Sequence, residues 1–126
     1  MSKPLTLTVE QLRNDFKHHT VVAALQCAGN RRHTMRVKLK EVQGLEWFDG
    51  AVMNAEWRGP KLRDVLLQAG IEPHDEKNDH PLSDKISHVQ FACHAVETQE
   101  DNYYGASIPL ERAMNNSADV ILAMEV

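Results

Sequence analysis

An uninterrupted apolar run, Val21-Val22-Ala23-Ala24-Leu25, leads without a break into Gln26-Cys27-Ala28-Gly29-Asn30-Arg31-Arg32. No other stretch constrains the fold as strongly. A continuous apolar run of this length, bounded by turn residues, reads as a buried strand rather than a helix. Gly29 and Asn30 readily accept the positive φ of a tight turn, so the strand must stop there. A strand ending in such a turn brings Cys27 to a sheet edge, where open sheets tend to bind their ligands.

The rest of the chain supplies short elements around that strand. Thr8-Val9-Glu10-Gln11 has the form of a capping box and predicts a helix from about Val9 to Phe16. His18, His19 and Thr20 should break it. After Cys27 comes a basic stretch, Arg31-Arg32-His33 with Arg36, Lys38 and Lys40. Val42 to Gly50 reads as a structured loop or short strand whose order should come from burying Trp47. Ala51 to Trp57 carries a partial period of two and predicts a strand. Arg58-Gly59-Pro60 should open a helix with Pro60 at its first position, Leu62, Val65, Leu66 and Ala69 on one face, and Gly70 as its left-handed stop. Glu72 to Lys85 reads as a solvated loop, long for a compact domain.

A short strand, Ile86 to Cys93, is expected next, followed by a polar, irregular segment from His94 to Tyr103. Tyr104-Gly105-Ala106-Ser107 should lead into a brief helix over residues 108–114, with Ser107 as its cap and Pro109 in its first turn. Val120 to Met124 is an apolar run of the kind buried within a sheet. Because natural termini are usually exposed and polar, an ending on such a run predicts that residues 1–126 are one partial domain rather than a whole one.

Composition narrows the function classes. The chain has 126 residues, 42% apolar and 25% charged, the proportions of one modest folded domain. Fourteen Lys and Arg against eighteen Asp and Glu give a net charge of −4, which disfavours a non-specific grip on nucleic acid or an anionic membrane. No apolar run reaches the length of a membrane span, and the opening residues lack the apolar core of a secretory signal. Cys27 and Cys93 are the only cysteines, too few for a disulfide framework and suited to a reducing compartment or a thiol with a chemical task.

The chemistry concentrates at Cys27. Positive charge from Arg31 and Arg32 favours thiolate over thiol. A thiolate is a nucleophile and a soft metal ligand, while arginine and exposed backbone N–H groups favour oxyanions. From residue types alone, the favoured reading is a buried packing cysteine beside two surface arginines. A zinc site built from Cys27, His33, Cys93 and His94 is disfavoured by irregular spacing. His18, His19, His74 and His80 sit in polar segments and are expected in solvent. Trp47, Trp57 and Tyr104 are expected to serve packing.

The words taken together say more. Leu25-Gln26-Cys27-Ala28-Gly29-Asn30-Arg31-Arg32, Gly44-Leu45-Glu46-Trp47, Trp57-x-Gly59-x-x-Leu62-x-Asp64-Val65-Leu66 and Tyr104-Gly105-Ala106-Ser107-Ile108-Pro109-Leu110 occur in this order. They resemble the molybdenum-cofactor domain of the sulfite oxidase family, which assimilatory nitrate reductases share. The resemblance spans residues 5–126, and the second and fourth words lean toward the sulfite oxidase branch and its fungal relatives. It implies an α+β fold, a mixed β-sheet with short helices forming part of a sulfite-oxidase-type molybdopterin-binding domain. It also implies that Cys27 is the sole protein ligand of molybdenum, with the dithiolene of molybdopterin and oxo groups completing the coordination. Asn30, Arg31 and Arg32 are candidates for the surrounding shell.

The implied activity is oxidation of sulfite to sulfate, with electrons passed to a haem domain or cytochrome and complete enzymes forming dimers. The alternatives are a nitrate-reductase-type domain, a thiol enzyme with Cys27 as nucleophile, and a non-catalytic binding module in which Cys27 is structural. The family's catalytic arginine and tyrosine, and most of its pterin-binding segments, have no counterpart here. No residue of this chain is therefore assigned as catalytic, and residues 1–126 alone are expected to be inactive. Gln43 stands where many sulfite oxidases have lysine, and Glu97 receives no role. Family members occur in mitochondria, peroxisomes, cytosol and periplasm, and the chain carries no readable address.

Overall fold

The computed structural model describes residues 4–38, 41, 43–71, 88–95, 98 and 102–126. The expected loop Glu72 to Lys85 with His74 and His80, the start of the strand at Ile86, and Lys40, Val42 and Glu97 lie outside the described residues. Among the described ones, the order is α1 (Val9–Asn14), β1 (His18–Gln26), α2 (Arg32–Lys38), β2 (Val52–Pro60), α3 (Leu62–Gln68), β3 (His88–Cys93), β4 (Tyr104–Pro109) and α4 (Leu110–Met114). The fold is α+β, as the resemblance implies. In place of one mixed sheet, the described strands form two antiparallel pairs, β1 with β2 and β3 with β4.

Helix α1 starts as its sequence dictates. Thr8 Oγ1 accepts the Gln11 N–H at 3.1 Å, and Gln11 Oε1 accepts the Thr8 N–H at 2.9 Å. The reciprocal bonds of the capping box satisfy two donors of the helix start. The helix stops at Asp15, short of Phe16, and His18 to Thr20 belong to β1 rather than to a break. They extend because β2 runs on far enough to pair with them, from His18 opposite Pro60 to Gln26 opposite Val52.

The apolar run of β1 is not buried. Val22 is 66% exposed and Leu25 54%. Within the described residues β1 pairs with β2 alone, and such a ladder has two faces that need a covering layer. Trp57 is half-buried, its Nε1 donating to Ala23 O at 3.0 Å and tying the two strands together.

Burial gathers at the other end of the ladder. Gly59, Pro60, Leu62, Ala113 and Met114 are buried there, where α4 lies against α3. Pro60 closes β2 instead of opening α3, and Lys61 is the helix N-cap. The reason is the C-terminal segment. Leu122 N–H donates to Pro60 O at 2.9 Å, Leu62 N–H to Val120 O at 3.0 Å, and Arg58 N–H to Glu125 O at 3.0 Å. Val120 to Met124 thus docks beside the end of β2 through isolated bridges, not as a strand inside a sheet. Gly59 is where the two backbones meet, since a Cβ there would overlap the Leu122 carbonyl oxygen. Gly70 has the positive φ, +81°, expected of the stop after α3.

Tyr104 to Ser107, expected as a lead-in to a helix, is strand β4, paired from Cys93 opposite Tyr104 to His88 opposite Pro109. Ser107 consequently faces Gln90 across the ladder and does not cap α4, whose N-cap is Pro109.

Candidate functional site

The end of the β1–β2 ladder opposite the core opens at Cys27. Its N–H donates to Ala51 O at 2.9 Å, one register step beyond the Gln26–Val52 pair. The chain then turns, with Asn30 N–H donating to Cys27 O at 3.0 Å and Arg32 N–H to Gly29 O at 3.0 Å. Cys27 is exposed, and its Sγ accepts the Gly29 N–H at 3.4 Å. The reading of Cys27 as a buried packing residue does not describe this position.

Asn30 is the one buried polar residue among those described, 8% exposed, and its Oδ1 accepts the Ala51 N–H at 3.1 Å. The left-handed backbone falls on Arg31, at φ +66°, and not on Gly29 or Asn30. Arg31 is held in that conformation by its N–H, which donates to Phe48 O at 2.7 Å, and by an exposed ion pair of its Nε with Asp49 at 3.0 Å.

Arg32 starts helix α2, an element that the basic composition of the stretch concealed. Its Nη1 donates to Leu45 O at 2.8 Å, and its guanidinium lies against Gly29 and Gly44. Gly44 has φ +115°, and a side chain there would collide with Arg32. Two words far apart in the chain, Gly29-Asn30-Arg31-Arg32 and Gly44-Leu45-Glu46-Trp47, therefore meet through one side chain.

Further ties join α2 to the 43–50 loop. His33 N–H donates to Trp47 O at 3.1 Å, and its ring lies 4.5 Å from that of Phe48 at 31°. His33 Nδ1 is 3.4 Å from Glu46 Oε2, an ion-pair distance off line for a hydrogen bond. Arg36 pairs with Glu46 and, at 2.9 Å, with Glu41. Trp47 remains 43% exposed, so the loop takes its order from these polar ties rather than from burying the indole. Arg36, Glu46 and Ala51 were not legible as site residues. Each acts through a partner 10 to 21 positions away, and periodicity carries no signal at that separation.

Cys93 and His94 lie at the far end of β3, with the His94 ring 5.1 Å from that of Tyr103. Among the described residues, no three His, Cys, Asp or Glu side chains converge to hold a bare metal ion. A dithiolene-bearing cofactor carries metal donors of its own and would ask this turn for one sulfur. An exposed soft sulfur at the end of a strand, steadied by a backbone N–H, fits such a group.

Comparison with known proteins agrees with this chemistry. Residues 1–126 match the family described as "Oxidoreductase molybdopterin binding domain". The chain is 46% identical to mitochondrial sulfite oxidase of Mus musculus over 97% of its own length and 20% of that protein's. It is 38% identical to sulfite oxidase of Arabidopsis thaliana, covering 31% of it, and 36% identical to nitrate reductase [NADH] 1 of Phaseolus vulgaris, covering 13%. The crystal structure of sulfane dehydrogenase SoxCD from Paracoccus pantotrophus superposes with a TM-score of 0.60 at 29% identity, over 96% of this chain and 25% of that one. The thiol-bearing turn, the α+β framework around it and the match over the whole length lead to one assignment: the chain belongs to the oxidoreductase molybdopterin-binding domain family.

Proposed function

We propose that Cys27 is the protein ligand of the molybdenum of a molybdopterin cofactor, in an enzyme of sulfite oxidase type that oxidises sulfite to sulfate. The observation that carries this reading is the exposed Cys27 sulfur at the end of β1, with Gly29 N–H directed at it. When bound, the cofactor supplies oxygen-atom transfer and holds the electrons released. The chain's own residues present and steady one thiolate. Asn30 pins the turn to Ala51, and Arg32 fixes the loop that carries Trp47.

Sulfite is favoured over nitrate because the sulfite oxidase of Mus musculus is 46% identical and the nitrate reductase of Phaseolus vulgaris 36%. The electron acceptor would be a haem domain or cytochrome, and the complete enzyme a dimer, as the resemblance implies. The net charge of −4 argues against nucleic acid or an anionic membrane surface as a partner.

The test is elemental analysis of the natural protein after desalting, beside its Cys27→Ala and Cys27→Ser variants. Stoichiometric molybdenum in the parent and its loss from both variants is the expected result. Molybdenum retained by folded Cys27→Ala would refute the assignment.

A further inference from the structure

The antiparallel ladder of β1 and β2 is interrupted at one specific bond. A hydrogen-bonded antiparallel pair exchanges two N–H···O bonds. At the step after Gln26–Val52, Cys27 N–H donates to Ala51 O at 2.9 Å, which is the first of the two. The second would run from Ala51 N–H to Cys27 O. In its place, Ala51 N–H donates to Asn30 Oδ1 at 3.1 Å, while Cys27 O accepts Asn30 N–H at 3.0 Å.

The Asn30 side chain thus takes the place of a backbone carbonyl. This substitution lets the Cys27 carbonyl close residues 27–30 without leaving the Ala51 N–H unpaired. The closed turn is what brings Gly29 N–H to 3.4 Å from Cys27 Sγ. We infer that Asn30 is a positioning residue for the Cys27 sulfur, acting through Ala51 and the turn to aim Gly29 N–H at the sulfur and so to set how firmly and in what direction it binds a metal.

The residue type fits that task. A buried polar group must be satisfied, and asparagine offers a neutral acceptor of the same kind as the carbonyl it replaces. An alanine would leave Ala51 N–H without its partner, and a serine is too short to reach it. An aspartate keeps an acceptor oxygen at the same place on the side chain. Hydrogen bonds to a metal-bound sulfur alter its donor strength, and loss of such outer partners typically costs about 10–100-fold in metal affinity.

The inference rests on Cys27 being the molybdenum ligand, and the experiment separates the two claims. In the natural holoprotein, Asn30→Ala, Asn30→Asp and Cys27→Ala are compared by hydrogen exchange at Ala51, by the rate of molybdenum release on dialysis, and by the sulfur-to-metal charge-transfer absorption. Asn30→Ala should lose protection at Ala51, release metal about 10–100-fold faster and shift the absorption band, with exchange at Leu62 unchanged. Asn30→Asp should keep Ala51 protected and release metal more slowly than Asn30→Ala.

Parent-like release and absorption in Asn30→Ala, with Cys27→Ala empty of metal, would overturn the positioning role alone. Equal release from Asn30→Asp and Asn30→Ala, with Ala51 protected only in the former, would overturn it as well. Metal retained by Cys27→Ala would overturn both claims. Should Asn30→Ala not accumulate, Asn30→Ser is read in the same way.

Discussion

The two ends of the β1–β2 ladder are built on different physics. At the His18–Pro60 end, order comes from close packing: Gly59, Pro60, Leu62, Ala113 and Met114 are buried where α3, α4 and the C-terminal segment meet. At the Gln26–Val52 end, Leu25, Val52, Met53 and Trp47 are all exposed. Order there comes from directed bonds, with Asn30 on Ala51, Arg32 on Leu45 and Arg36 on Glu46. An end proposed to receive a large cofactor cannot fill its own space with side chains. It can still be stiff if its turns are cross-tied, and two of these ties join a side chain, Asn30 or Arg32, to a backbone group distant in the chain.

The contrast can be broken first at Gly59. Gly59→Ala should destabilise by more than about 3 kcal/mol, since its methyl group must displace the Leu122 carbonyl, a backbone atom. Denaturant unfolding of the natural protein would read this as a lower midpoint, and an unchanged midpoint would show that the C-terminal segment is not docked there. Leu62→Ala should cost about 2–4 kcal/mol by cavity formation, while leaving the hydrogen-exchange protection of Ala51 unaltered in the folded state. Loss of protection at both places together would mean that the two ends unfold as one unit.

A change at the opposite end sharpens the comparison. Arg32→Ala removes the bond to Leu45 O and should lower stability by about 1–2 kcal/mol while exposing the amides of residues 43–50 to faster exchange. Arg32→Lys should not restore the parent behaviour, because an ammonium lacks the planar fork that lies flat against Gly29 and Gly44.

The smallest effect belongs to Glu125. Its carboxyl is held below the ordinary 4.5 by the hydrogen bond from Arg58 first and by the charge of Arg58 second. The folded state therefore binds fewer protons than the unfolded chain through this range. The stabilisation is present above about pH 4.5 and is lost as pH falls through the lowered folded-state value. Glu125→Gln should flatten that acid limb in a pH series of unfolding midpoints. Added salt should shrink the difference, because the pair is exposed and screened.

Local signals in the sequence were read with uneven success, and the reason lies in how far each feature reaches. The Thr8–Gln11 capping box and the left-handed Gly70 are decided within a few residues and appear as expected. Pro60 and Ser107 also carried local signals, for a helix start and a cap. They failed because each is claimed by a partner distant in the chain, Leu122 for Pro60 and Gln90 for Ser107. The apolar letters of β1 correctly announced a strand but not its exposure, since composition cannot say whether a second layer covers a face.

What the sequence determined by itself was the strand, the thiol at its end and the turn beyond, because hydrophobic continuity and glycine freedom are properties of adjacent residues. Only the tertiary structure decided that Arg31 and not Gly29 takes the left-handed backbone, that Arg32 joins two distant words, and that Asn30 completes a ladder bond of Ala51. Those choices follow from hydrogen-bond satisfaction at buried or crowded points. That condition is set by which backbone groups the fold brings together, and no local pattern of letters encodes it.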